Sequence, residues 1–385
     1  MHAPATPYAD PQQVLIRQCP DDPVMIFCPA ELQATAYRFQ AGFDGLVTYA
    51  VKANDRAEVL QNLSAAGLRA FDVASPAEMA AVRAVDAGAV LHYNNPVRSK
   101  AEIAQGIAMG VASWSVDEAG ELAKLAEVPC TAEIAVRFKL PVTGAAYDFG
   151  DKFGATPEQA VDLLKAVAAQ GWTPALCFHP GTQCADPAAW TTYIDQAARI
   201  AQRAGVRIAR LNVGGGFAAH RVGAAPDLQA IFEAIRTAVA QAFGATPPQL
   251  ICEPGRAMVA ESFVLATRVK SLRENGHTVY LNDGIYGGLR DLHDSGPLTR
   301  VLAVAPDGTL RRGTGQVRQI FGPTCDSIDK LPDGLRLPDD LQVGDYVLFQ
   351  GMGAYSLALN SRFNGYGINN VATVLSLSGH SDARQ

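Results

Sequence analysis

Between residues 46 and 254 short β-branched or apolar runs recur, separated by longer stretches whose apolar residues fall at helical spacing. That alternation confines this part of the chain to an α/β architecture. The runs are LVTYAV (46–51), RAFDV (69–73), AVLHY (89–93), VASWSV (111–116), AEIAVRF (132–138), ALCFHP (175–180), IARLNV (208–213) and QLICEP (249–254). The segments between them, such as SPAEMAAVRAVDAG and TPEQAVDLLKAVAAQG, open on a capping Ser or Thr, carry Glu in the first turn and end at Gly. Strand then helix, repeated eight times, predicts a (β/α)8 barrel over residues 30–262. A doubly wound sheet is the rival, since GGG at 214–216 follows a strand. It is disfavoured by the lack of G-x-G-x-x-G and of an acidic residue at the right distance.

After residue 262 the pattern changes. TRVKSLREN, HTVYLNDG, RVLAVAP, GQVRQIFGPT, DYVLFQGMG and NVATVLSLS alternate apolar and polar residues between Gly, Asn or Asp, which predicts an all-β module with one short helical stretch near MGAYSLALNS. The early run VMIFC joins that module, giving a β-domain of residues 1–29 and 263–385. A length of 385 residues suits two such domains.

Composition narrows function by exclusion. The net charge of -6 comes from interspersed charges with no basic block, which argues against a nucleic-acid partner. No apolar run approaches the ~20 residues of a membrane span, and MHAPATPYADPQQ lacks a basic and apolar leader, so no membrane association and a cytoplasmic location are expected. Seven cysteines without C-x-x-C spacing indicate neither a disulfide framework nor a zinc site, and no metal is expected.

Polar residues collect where the barrel strands end, the rim on which such folds build active sites. Lys52 follows the first strand, Asp72 ends the second, Asn94 and Asn95 follow the third, and Arg137 lies in the fifth. His179 ends the sixth, Gly214, Gly215 and Gly216 follow the seventh, and Glu253 with Arg256 closes the eighth. A lysine after an apolar run is expected to be desolvated, which favours a Schiff-base role, although a solvated surface charge fits its position equally well.

YAVKAN, FDVAS, FHPGTQ, LNVGGGF, CEPGR, NDGIYGG, GPTCDSIDK, GAYSLA and RFNGY, in this order from residue 46 to 366, resemble the fold-type III, pyridoxal-phosphate-dependent decarboxylases of basic amino acids, the ornithine-specific members most of all. The resemblance implies an alanine-racemase-like barrel plus a C-terminal β-domain, pyridoxal 5'-phosphate as cofactor, and a homodimer with shared active sites. It assigns the cofactor's covalent attachment to Lys52, the ring nitrogen to Glu253, the ring face to His179, the ring hydroxyl to Arg137, and orientation of the lysine region to Asp72. The phosphate falls to backbone N–H groups of Gly214, Gly215 and Gly216 at a helix N-terminus, with Arg256, Tyr355 and Thr182. Cys325 and Asp326 would complete the partner subunit's site, Cys325 in carboxylate loss and protonation, Asp326 at the distal amine of the substrate.

An acidic residue at 326 suits ornithine or lysine, with L-ornithine giving putrescine and carbon dioxide the first expectation. Tyr286 of IYGG matches the family without a shift, whereas GLRDLHDSG departs from it. Asp294 is the nearest equivalent to a second amine-binding carboxylate, Asp291 competes, and Arg290 and His293 lie beside them. The alternatives are lysine or dual lysine/ornithine decarboxylation, then arginine, carboxynorspermidine or diaminopimelate decarboxylation. A non-catalytic relative of the antizyme-inhibitor kind is disfavoured by Lys52, Glu253, Arg256 and Cys325.

Overall fold

The computed structural model describes residues 7–140 and 152–378. Residues 1–6, part of the stretch read above for a leader, lie outside the described residues. The chain divides into two compact units: Ala36–Ala218 with Pro226–Met258, and Met1–Thr35 with Ala219–Ala225 and Val259–Gln385.

The first unit is the barrel. Its parallel strands follow chain order: Ala70–Val73, Val90–Tyr93, Ser113–Val116, Glu133–Arg137, Thr173–Cys177, Arg210–Asn212 and Gln249–Cys252. The two ends of this path are Leu46–Val47, paired with Gln249–Cys252, and Tyr49–Ala50, paired with Ala70–Val73. Both pieces belong to one run of chain interrupted at Thr48, so the sheet closes on itself. Thr48 bridges the seam, its N–H and hydroxyl both donating to the Cys252 carbonyl at 2.9 and 3.0 Å.

Outer helices form where the sequence places caps. Ser75 accepts the Glu78 N–H ahead of Pro76–Val85, and Thr156 with Gln159 makes a reciprocal capping box ahead of Pro157–Ala169. Ala188–Ala204 buries Trp190, Tyr193, Ile194, Ala197, Ile200 and Ala201, one face of a 3.6-residue period. Between helices and sheet, Phe39 stands edge-on to Phe217 and Phe232 at 5.5 and 5.4 Å, and Trp190 stacks on Phe217 at 5.0 Å. Ala135, Ala175 and Cys177, all buried, cluster together.

The second unit is built on the long strand Phe263–Arg273. Its first half pairs antiparallel with Val24–Phe27 and Tyr346–Gln350, and its second half with Thr278–Leu281, where the register shifts between Val269 and Ser271. Val301–Val304, Gly315–Phe321, Leu335–Pro338 and Asn370–Thr373 complete the sheet. Val24, Ile26, Val264, Ala266 and Leu348 form its core, joined by Val14 and Leu15 of the helix Pro11–Gln18.

One local expectation fails. MGAYSLALNS is a turn, because Tyr355 adopts φ 64°, and the Leu359 N–H closes it on the Tyr355 carbonyl at 3.0 Å. A short helix instead forms at Arg290–Asp294. Among the described residues no helix is long and apolar enough to cross a membrane. Phe39 is fully buried, so Phe39→Ala should cost about 3–5 kcal/mol through lost contacts and the cavity left behind. Urea unfolding checks this, and a loss under about 1 kcal/mol would mean that the aromatic cluster does not hold the helices to the sheet.

Candidate active site

The C-terminal strand ends converge on a cavity of about 220 Å³ walled by Lys52, Asp72, Asn94, Arg137, His179 and Glu253, with Cys177, Lys152 and Phe153 also contributing. Each comes from a different point of the strand repeat. Asp72 is buried within Ala70–Val73, Arg137 ends Glu133–Arg137 with its guanidinium 5.1 Å from the Phe153 ring, and Glu253 follows Gln249–Cys252. Lys52 lies in the single 3-10 turn Val51–Ala53, and its side chain is exposed. The turn carries Lys52 off the buried strand and into the open mouth, where it lines the cavity.

The mouth concentrates charge. Glu253 Oε1 accepts from Asn94 Nδ2 at 2.5 Å and from Asn212 Nδ2. Withdrawal from water pushes the Glu253 carboxyl up from the usual range, the nearby Asp72 pushes it further, and the Asn212 bond and the Lys52 and Arg137 cations oppose the rise. Asp72 is likewise pushed up by burial, against the pull of Lys52, Asn94 and Arg137. His179 is held well below the ordinary histidine range by burial and by the two cations, so the imidazole is neutral. Its Nδ1 accepts the Gly181 N–H at 3.2 Å, which leaves the proton on Nε2.

Gly214–Gly216 form a turn with no space for side chains. Gly214 has φ 68°, and a Cβ there would stand 2.2 Å from the Phe178 carbonyl oxygen. A Cβ on Gly216, at φ 87°, would stand 2.6 Å from the Gly181 oxygen. The turn thus packs on the FHPGTQ loop that carries His179 and half-buried Thr182, and Cys184 N–H donates to the Gly216 carbonyl at 2.9 Å. No helix starts at the turn, contrary to expectation. Phe217 is drawn into a bridge with Cys184, and the next helix, Leu228–Phe243, begins only after its Asp227 cap. Arg256 is buried and opens the short helix Arg256–Val259.

In the β-unit, the NDGIYGG and GPTCDSIDK segments meet. Tyr286 donates its hydroxyl to Asp326 Oδ2 at 2.5 Å and its ring lies 4.6 Å from Phe363. That hydrogen bond, with one from the Ile328 N–H, holds the Asp326 carboxyl below its usual range, so it is a carboxylate at neutral pH. Cys325 is exposed, and its Sγ donates to Asn364 Oδ1 at 3.3 Å. Buried Asp329 fastens the loop by accepting from the Ile285 N–H and the Thr324 hydroxyl. Asp291 is buried in an ion pair with Arg221 at 2.8 Å, while Asp294 on the same short helix is exposed and pairs with Arg290 and His293. Tyr355 sits in the strained turn described above.

Sequence reading missed Asn212 and gave Asn94 no task. Period-two alternation from Arg210 through Asn212 to Gly214 was the available signal for the first.

Residues 30–260 match the model of the pyridoxal-dependent decarboxylases' pyridoxal-binding domain. The chain is 33% identical over 331 residues to a lysine/ornithine decarboxylase of Selenomonas ruminantium, covering 83% of this chain and 81% of that protein. It is 32% identical over 342 residues to the chloroplastic ornithine decarboxylase of Nicotiana glauca, covering 85% and 77%. The structure of the Selenomonas ruminantium lysine decarboxylase with PLP and cadaverine superposes with a TM-score of 0.81 at 28% identity, covering 96% of this chain and 95% of that one.

The raised Glu253 carboxyl has a signed consequence. A raised folded-state value favours the protonated fold, so this contribution is complete below the unfolded-state value and is lost as pH rises through the folded one. In cofactor-free protein Glu253→Gln should therefore raise the melting temperature at about pH 9 and have little effect at about pH 5. Scanning calorimetry reads the difference, and a gain equal at both pH values would contradict the assignment.

Proposed function

The chain belongs to the pyridoxal-dependent decarboxylases, and from that membership we propose that it releases the α-carboxylate of a basic L-amino acid as carbon dioxide, with L-ornithine preferred and putrescine the product. The working form is a homodimer whose subunits each contribute to both sites. L-Lysine, alone or together with ornithine, is the second reading, favoured by the lysine/ornithine enzyme among the relatives.

The barrel mouth fits the cofactor. The Gly214–Gly216 turn, closed to any Cβ, brings backbone close enough to cradle a phosphate, and Arg256 and Thr182 would add side-chain bonds. Tyr355 is assigned to the same phosphate by its motif. Lys52 would hold the aldehyde carbon, neutral His179 would lie on the ring face, and Arg137 would sit by the ring hydroxyl. When bound, pyridoxal phosphate supplies the sink for the electron pair left by the departing carboxylate.

The chain's own groups do the rest. Glu253 would hold a proton on the ring nitrogen, and this carboxylate carries the reading, because an arginine in its place would weaken the sink whereas decarboxylation needs a strong one. Asp72, beside Lys52, would orient the ammonium, and Lys52, released when the substrate amine takes its place, would move protons within the mouth. Asp326, ionised and steadied by Tyr286, suits an ammonium at the far end of the substrate. Asp294 would assist there in spite of its local partners, and Asp291, consumed by Arg221, would not. Cys325 would deliver the proton to the α-carbon in the partner's site.

Steady-state rates with L-ornithine, L-lysine, L-arginine and meso-diaminopimelate should give the highest kcat/KM for ornithine, with lysine next. Ornithine falling outside the better two would overturn the substrate claim. Asp326→Asn should raise KM for ornithine by about tenfold or more, and by more than Asp294→Asn does. The reverse order would move the main amine contact to Asp294.

A further inference from the structure

Asn94, immediately after Val90–Tyr93, faces the cavity and sits between its two carboxylates. Its side-chain nitrogen donates to Glu253 Oε1 at 2.5 Å, and the same amide favours the charged form of Asp72. From the other side Asn212 donates to the same Glu253 oxygen while its Oδ1 accepts the Gly214 N–H at 2.9 Å.

We propose that Asn94 is a positioning residue for the decarboxylation: its amide, with that of Asn212 as the second donor, clamps Glu253 by one oxygen in the orientation the reaction uses. The proposal rests on the assignment of Glu253 to the ring nitrogen and extends it to the groups that hold Glu253 there.

The clamp is itself held. The Asn94 carbonyl accepts the Ser115 hydroxyl at 2.7 Å. The Arg98 guanidinium, 2% exposed, donates to the carbonyls of Tyr93 and Ser115 and lies 4.9 and 5.4 Å from the Tyr93 and Trp114 ring centres. The backbone on both sides of the amide is thereby fixed, and the rotamer that reaches Glu253 loses little further entropy on forming the clamp.

The clamp answers an electrostatic conflict. Two carboxylates withdrawn from water drive each other toward the neutral acid, and N–H donors to the charged form resist that drift. The remaining charged or titratable groups around the pair can be named. Lys52 and Arg137 favour the carboxylates, Lys152 also lines the cavity, and burial keeps His179 and the thiols of Cys177 and Cys252 neutral. Glu78, on the neighbouring helix Pro76–Val85, is pushed up to about 7 and faces Asp72. These groups are common to parent and variant, so the difference between the two isolates the amide.

The test has one arm that needs neither substrate nor cofactor. In cofactor-free protein, Asn94→Ala should lower the melting temperature by an amount that grows from about pH 5 to about pH 9, because Glu253, left with one donor fewer, binds its proton more tightly and the fold loses more as it ionises. The pH-dependent part should shrink in the Glu253→Gln background. In loaded enzyme, with whichever of the four amino acids turns over fastest, kcat should fall about tenfold or more while KM changes less than about threefold. If Asn94→Ala does not fold, Asn212→Ala, which removes the opposing donor, should show the same pH-dependent loss. A deficit equal at all pH values, or one unchanged by Glu253→Gln, would reduce Asn94 to packing and overturn the proposal. Failure of ornithine as substrate leaves both arms intact, so the two claims fail separately.

Discussion

A hydrogen-bonded seam between the first and last barrel strands sets the geometry of everything at the mouth. Thr48 donates twice to the Cys252 carbonyl, 204 residues away in sequence, and the Ala50 N–H donates to the Pro254 carbonyl at 3.3 Å. Closing the sheet there puts the segment that carries Lys52 beside the segment that carries Glu253. Parallel register then carries the neighbouring strand ends to the same rim, since each strand of a closed parallel barrel points its C-terminus the same way. Large aromatics pack between the helices and the sheet, while small buried residues such as Ala135 and Ala175 cluster together.

The mouth so formed holds two carboxyl groups, three cationic side chains and a neutral imidazole around about 220 Å³. Such a set is unfavourable unless donors are fixed around the anions. The amides of Asn94 and Asn212 provide them, and Asn212 links Glu253 to the glycine turn through the Gly214 N–H. The end of the site suited to a ring nitrogen and the end suited to a phosphate are therefore mechanically joined through one side chain. In the β-unit the same economy appears at Asp326, whose charge is steadied by the Tyr286 hydroxyl and whose loop is fastened by buried Asp329.

The strand–helix alternation made the barrel legible, because period-two and 3.6-residue patterns are local properties of the chain. The residues at the strand ends were legible for the same reason. What escaped was set by tertiary contacts. Phe217 leaves the glycine turn for a bridge with Cys184, so the helix expected there starts instead after Asp227. Lys52 is exposed because a 3-10 turn rotates it away from the strand. The positive φ of Tyr355 turned an apparent helical stretch into a turn, and nothing in GAYSLA announces that strain. Asp291 and Asp294 differ by three positions yet have opposite fates, which depend on Arg221 about seventy residues upstream.

The account stands on the barrel mouth being the cofactor's seat, with Lys52 its point of attachment. Borohydride reduction of pyridoxal-phosphate-loaded protein, followed by proteolysis and mass mapping of the modified lysine, reads that attachment directly. The account predicts the modification on Lys52. Modification of Lys152, which also lines the cavity, or of any lysine elsewhere, with Lys52 unmodified, would contradict it.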